Sequence, residues 1–218
     1  MRLVKLSPSQ RVQGRWLLYL EDGALLRVGE NEVVSFGLYA GMELSPERLE
    51  ELRGAAALGA LREKALNALS LRPLSRKELV RKLTARPRRS GEGEEPSPVD
   101  PERAEEVADW LEELGYLNDA EYAKSVVRHY AAKGYGERKL RDELYRRGVP
   151  RDDWEEALAE TQDPAGEIDR LIRKKMQGQD PNDRRALKQT SDALARRGYR
   201  WNEISEGLRR YGAELEES

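Results

Sequence analysis

The sequence contains no cysteine and a single histidine, His129. Without thiols neither disulfides nor thiolate metal sites can form, and one imidazole cannot assemble a histidine cluster; a reducing compartment fits. Aromatic residues are only 6% of the 218, with one phenylalanine, which suits thin helical layers better than one thick core. No apolar stretch approaches the ~20 residues of a membrane span, and Met1 to Leu6 lacks the apolar core of a secretory signal. The expectation is a soluble, cytoplasmic protein without a membrane partner. Walker-type phosphate loops and dinucleotide fingerprints are missing, and Gly91-Glu92-Gly93 lies in an acidic stretch that would repel phosphate. Adjacent carboxylates such as Glu105-Glu106 and Glu155-Glu156 point apart on a helix and make no acid/base dyad. An enzyme is not expected, and no cofactor is called for.

Charge is what the chain has in abundance: 37% of residues are Asp, Glu, Lys or Arg, yet the formal net charge is −2. The balance conceals blocks. Lys and Arg counted against Asp and Glu come to +8 over residues 62–90, −11 over 91–121, +6 over 122–151, −8 over 152–169 and +7 over 170–200. Alternation of this kind can present separated basic stripes.

Residues 1–55 read as a small β-hairpin followed by a short helix. Trp16 to Leu20 and Ala24 to Val28 are strand-forming runs joined by Glu21-Asp22-Gly23, and Leu3 to Leu6 is a candidate third strand. Ser45-Pro46 supplies an N-cap and a first-turn proline for a helix through Leu49 and Leu52. From Ala56 onward the apolar spacing is helical almost throughout. Leu58, Leu61, Ala65, Leu66 and Leu69 form one stripe ending near Arg72-Pro73; Ser75 with Glu78 makes a capping box before Leu79 and Leu83. Residues 87–100 are read as a flexible acidic loop. Asp100-Pro101 caps the next helix, which turns Ala104, Val107, Leu111 and Leu114 inward and stops at Gly115. Asn118 with Glu121 opens another, with Tyr122, Val126 and Tyr130 four residues apart.

The helical part repeats itself. Leu144-Tyr145-Arg146-Arg147-Gly148-Val149 returns fifty residues later as Leu194-Ala195-Arg196-Arg197-Gly198-Tyr199, with Trp154 matching Ile204 and Leu158 matching Leu208. Leu79 and Leu83 match Leu140 and Leu144 at an offset of 61, while Val107, Trp110 and Leu111 match Trp154, Ala157 and Leu158 at 47. The fold class expected is therefore mainly α: tandem three-helix repeats, three copies in an elongated arrangement, behind a small N-terminal β-hairpin segment. The repeats span 56–117, 118–162 and 163–218, and the 87–100 loop is inserted in the first.

Basic residues recur on the first two helices of each copy. Arg76, Lys77, Arg81, Lys82, Arg138, Lys139, Arg141, Arg146, Arg147, Arg184, Arg185, Arg196 and Arg197 could meet phosphates or an acidic protein groove. The competing reading is a solvated helical face, or intramolecular pairing with the acidic third helices. Tyr122, Tyr130, Tyr135, Tyr145 and Tyr199 lie among them, a pattern more often made by packing than by base stacking.

The stretch Leu111-Glu112-Glu113-Leu114-Gly115-Tyr116-Leu117-Asn118-Asp119-Ala120-Glu121-Tyr122-Ala123 carries a family resemblance. With Lys133-Gly134-Tyr135-Gly136, Lys139-Leu140, Glu143-Leu144 and Arg147-Gly148-Val149, it resembles the RecX family of bacterial recombinase regulators. The resemblance implies tandem three-helix modules and a modulator of RecA, the ATP-dependent recombinase that forms filaments on single-stranded DNA. It implies restraint of filament activity in recombination, repair and the SOS response, by a monomer lying along the filament groove. The sequence departs from the pattern at the acidic loop of copy one and at Lys188-Gln189-Thr190, where copy three lacks a tighter apolar seam. A helical single-stranded DNA-binding protein acting without RecA is the alternative, and a scaffold whose charge blocks merely pair with each other is a further rival.

Overall fold

The computed structural model describes residues 1–85, 99–161 and 163–216. It divides into two units, one of residues 1–73 and 79–116, the other of residues 74–78 and 117–218.

The first unit begins with an antiparallel sheet of β1 (Leu3–Pro8), β2 (Arg15–Leu20) and β3 (Leu25–Gly29), in that order. The turn at Asp22-Gly23 closes as expected, with Gly23 at φ +84, and the candidate third strand is present. A short helix α1 (Glu30–Ser35), which the sequence did not signal, follows β3. One face of the sheet packs Leu3, Leu18, Leu20 and Val28 on Leu49, Leu52 and Ala56 of α2 (Pro46–Leu71).

Helix α2 differs from expectation in its length. Ser45 accepts from the Arg48 N–H and Pro46 opens the helix as the sequence implied, but it continues without interruption through the boundary placed at residues 55 and 56. Gly54 and Gly59 lie within it, and their weak helix propensity is offset by packing on both halves. The stripe also shifts: Leu61, Ala65 and Ala68 are buried at spacings of four and three, whereas Leu66, a helical step beyond Ala65, is 37% exposed. Helices α3 (Arg76–Thr84) and α4 (Pro101–Glu113) carry Leu79, Leu83, Ala104, Val107, Ala108 and Leu111 to the interior. Leu114, expected inward, is 52% exposed because α4 has already ended there. Asp100 caps α4 as read; the rest of the 87–100 loop up to residue 98, including Gly91-Glu92-Gly93, lies outside the described residues.

The second unit contains two three-helix groups. Helices α5 (Asp119–Ala131), α6 (Glu137–Arg147) and α7 (Trp154–Ala159) enclose Tyr122, Val126, Leu140, Leu144, Trp154 and Ala157. Helices α8 (Pro164–Met176), α9 (Arg184–Arg196) and α10 (Trp201–Glu216) enclose Ile168, Ile172, Met176, Leu194, Tyr199 and Ile204. Of the polar interruption in copy three, Lys188 and Gln189 are exposed and Thr190 is buried: its hydroxyl sits 3.4 Å from the Met176 sulfur, and the hydroxyl of the neighbouring buried Ser191 donates to the Leu187 carbonyl. The fold is mainly helical and built of repeats, with a three-stranded sheet at its amino-terminal end. Among the described residues no helix is long and apolar enough to cross a membrane.

Candidate functional site

The repeated Arg-Arg-Gly segment does two jobs in the second unit. Its first is to end a helix. Val149 N–H bonds the Leu144 carbonyl and Tyr199 N–H bonds that of Leu194, with Gly148 at φ +71 and Gly198 at φ +91. This is the glycine C-cap in which the residue after the glycine reaches back over the last turn and buries its side chain. The backbone of α4 closes with the same bond, from the Tyr116 N–H to the Leu111 carbonyl past Gly115, but the Tyr116 side chain stays exposed.

Its second job is to receive the start of another helix. At Gly198 the backbone carbonyls of Arg197 and Gly198 accept from the N–H groups of Gly136 and Arg138, at 2.9 and 3.2 Å. At Gly148 the Ser75 hydroxyl donates to the Arg147 carbonyl. Ser75 and Gly136 occupy the same place in the 61-residue offset, and Arg147 and Arg197 the same place in the 50-residue one. The start of α3 therefore meets the end of α6, and the start of α6 meets the end of α9. Unpaired donors at one helix start and acceptors past another helix end satisfy each other, and their partial charges attract.

The arginines before these glycines hold the joints. Arg147 Nη1 donates to the Tyr122 hydroxyl at 2.7 Å and Nη2 to that of Tyr130 at 3.3 Å. Tyr122 in turn donates to Glu78 at 2.8 Å, and Glu78 completes the expected capping box with Ser75. Arg197 Nη1 donates to the carbonyls of Lys133 and Gly134, at 2.8 and 3.1 Å, while its guanidinium lies over the Tyr135 ring. Glu143, 3% exposed, pairs with Arg146 and lies 3.8 Å from Arg147 and 3.9 Å from Lys139. Arg141 is shared between Glu137 and Glu155, and Arg200 also reaches Glu137.

The thirteen basic residues thus fall into a bonded group, an exposed group and Arg76 between them. Lys139, Arg141, Arg146, Arg147 and Arg197 bond within the second unit. Arg76 is half-buried, with its N–H donating to Asp119 at 2.8 Å. Lys77, Arg81, Lys82, Arg138, Arg184, Arg185 and Arg196 are exposed, and none of their side chains makes an ion pair among the described residues. Lys77 and Arg138 are equivalent in the repeat. Lys188, absent from the sequence-derived candidates, occupies the same position in the third copy and is also exposed. The signal for it was the register of the repeat rather than the local richness in arginine. Tyr122 and Tyr199 are buried as packing aromatics, whereas Tyr145 is 70% exposed.

Burial raises the Tyr122 hydroxyl above its usual range, and acceptance of its proton by Glu78 adds to the effect. Burial, followed by the Glu167 charge, pushes Tyr199 up to about 12. Unfolded tyrosine loses its proton near ~10. Both groups stay protonated longer in the folded state, so their contribution is complete below that pH and is lost as pH rises through the folded values. The midpoint of urea unfolding is expected to fall from pH 10 towards 12, and to fall less in Tyr122→Phe and Tyr199→Phe than in the unmodified chain.

Comparison with known proteins agrees with this architecture. Residues 118–158 match the family model described as RecX, second three-helix domain. Regulatory protein RecX of Pseudomonas putida (strain F1) is 36% identical over 141 residues, covering 64% of this chain and 83% of that protein. Its counterpart in Xanthomonas axonopodis pv. citri is 35% identical over 148 residues, covering 67% and 85%. A crystal structure of regulatory protein RecX aligns at TM-score 0.70 and 22% identity, over 96% of this chain and 98% of that one. The crystal structure of RecX from Lactobacillus salivarius aligns at 0.58 and 22% identity, over 70% and 95%. At such identity these two speak for the fold.

Proposed function

Because this chain belongs to the RecX family of regulatory proteins, we propose that it binds the RecA recombinase and its single-stranded DNA filaments and restrains their ATPase and recombinase activity. The setting is DNA recombination, repair and the SOS response, in the cytoplasm, with the chain acting as a monomer and without catalysis of its own. The observation that carries this reading is the exposed cation at one equivalent place on α3, α6 and α9, namely Lys77, Arg138 and Lys188. Cations spaced by a structural repeat suit a partner whose negative charge also recurs along its length. The repeats 56–117, 118–162 and 163–218 then serve as successive contact modules. Individually weak contacts act together through effective concentration, so one molecule spans neighbouring recombinase subunits and opposes the rearrangements of their ATP cycle.

The test is DNA-dependent ATP hydrolysis by RecA, measured with increasing amounts of this protein. Hydrolysis is expected to fall, and the triple variant Lys77→Glu, Arg138→Glu, Lys188→Glu to need at least about tenfold more protein for the same effect, as expected when several charge contacts reverse sign. Its unfolding midpoint should move little, since the three charged ends are exposed and Glu keeps part of the Lys77 stem that lies against Gly148. Undiminished hydrolysis at saturating amounts of folded protein would remove the proposal.

A further inference from the structure

The amino-terminal sheet presents a second charged surface, different in kind from the helical one. Strand pairing sets Lys5 opposite Tyr19 and Tyr19 opposite Leu25; two residues along, Ser7 faces Leu17 and Leu17 faces Arg27. Alternation puts these six side chains on one face, because Leu6, Leu18 and Leu26 between them belong to the other, which is covered by α2. Tyr19 and Leu25 are exposed, Leu17 is half-buried, and Lys5 lies 5.5 Å from the centre of the Tyr19 ring.

None of the three strands puts a carboxylate of its own on this face. The acidic residues of the first 29 positions are Glu21 and Asp22, both at the hairpin tip. Arg15, at the end of β2, is already bonded to Glu63 at 2.7 Å. Lys5 and Arg27 have no ion-pair partner among the described residues and lie on opposite outer strands of the sheet. From strand spacing and rise, their backbones are about 12 Å apart on the diagonal.

We propose that this face binds single-stranded polynucleotide directly, with the Tyr19 ring and the adjoining leucines under the bases and Lys5 and Arg27 on the phosphates. An aromatic and aliphatic centre flanked by cations suits a strand whose every base has an apolar face and whose every link is negative. An acidic peptide adding itself as a further strand is disfavoured. The outer edge of β1 is occupied at Leu3, which bonds the backbone of Gly41 and Met42. The inference adds a direct DNA contact to the reading above and does not need a recombinase.

The experiment uses the full chain, without RecA, and a fluorescein-labelled oligothymidylate followed by anisotropy over a range of salt concentrations. The double variant Lys5→Gln, Arg27→Gln is expected to bind at least about tenfold more weakly, with a salt slope shallower by about 1.4, the value for two phosphate contacts on a single strand. Tyr19→Ala should weaken binding by about fivefold or more and Tyr19→Phe should restore it, since stacking needs the ring and not the hydroxyl. Photo-crosslinking of an iodouracil oligonucleotide should mark the peptide containing Tyr19. Affinity and salt slope unchanged in the double variant, at an unchanged unfolding midpoint, would overturn the proposal. So would polyglutamate displacing the probe as well as unlabelled oligothymidylate does, which would make the face a site for an acidic protein. Either result leaves the ATPase experiment to stand or fall by itself.

Discussion

Gly136→Ala and Gly198→Ala are each expected to lower stability by about 2–4 kcal/mol, although each adds a single methyl group. A Cβ on Gly136 would stand 2.7 Å from the carbonyl carbon and oxygen of Gly198 and from the nitrogen of Tyr199. A Cβ on Gly198 would stand 2.5 Å from the Lys139 nitrogen, at a φ of +91 that L side chains rarely adopt. All of these neighbours are backbone, so no rotamer change can relieve the overlap; the two segments must separate. Separation costs the bonds from Gly136 and Arg138 to the carbonyls past α9 and displaces Arg197 from Lys133 and Gly134. Gly115→Ala is the control. Its φ is +73 but nothing lies within 4 Å of the added atom, so only the backbone preference is lost, about 1 kcal/mol. Urea unfolding measures all three. The double variant should cost less than the two single changes together, since each opens the same joint. Equal losses at Gly115, Gly136 and Gly198 would show that the close approach is unimportant.

Arg147→Ala is expected to cost about 2–4 kcal/mol, comparable to truncating a core residue, although the side chain is formally a surface cation. The guanidinium donates to two tyrosine hydroxyls, lies 5.8 Å from the Tyr130 ring and stands beside the buried Glu143. Its removal leaves the Tyr122 hydroxyl bonded to Glu78 alone, with one cation fewer near two buried carboxylates. Glu143 retains Arg146, which keeps the loss below that of a fully orphaned charge. Arg147→Lys should recover little, because an ammonium on a flexible stem cannot span both hydroxyls as the planar fork does. Arg196→Ala, on an exposed side chain without an ion pair among the described residues, should move stability by less than about 0.5 kcal/mol. A loss at Arg147 as small as that at Arg196 would mean that the network adds nothing to the joint.

These two residues show where a sequence can be read and where it cannot. Arg147 and Arg196 look alike along the chain: both are arginines near the end of a basic helix, in segments that echo each other. A pattern of residue types records their recurrence but not their direction. One helical step separates a side chain that turns back to Tyr122 from one that stays in water, and that step is decided by which neighbouring helix is present. Leu66 and Leu114 mislead for a related reason. Their spacing fits the apolar stripe, yet burial depends on where α4 stops and on which neighbours exist to cover them. Along the chain Lys188 reads as a flaw in an apolar seam, because its equivalence to Lys77 and Arg138 is a matter of repeat register.

The amino-acid sequence alone determined the class of this protein: helical repeats, an amino-terminal sheet with its turn at Gly23, caps at Ser45, Ser75, Asp100 and Asn118, and glycine stops at the helix ends. These follow from local preferences and periodicity, which act over a few residues and are written in the chain itself. The tertiary structure decided the uses of the recurring Arg-Arg-Gly segments and the division of the cations. Hydrogen-bond geometry and close backbone approach link residues such as Ser75 and Arg147, 72 positions apart. No local rule carries information over that distance, so the helix-to-helix joints and the exposed charges that remain were settled only by packing.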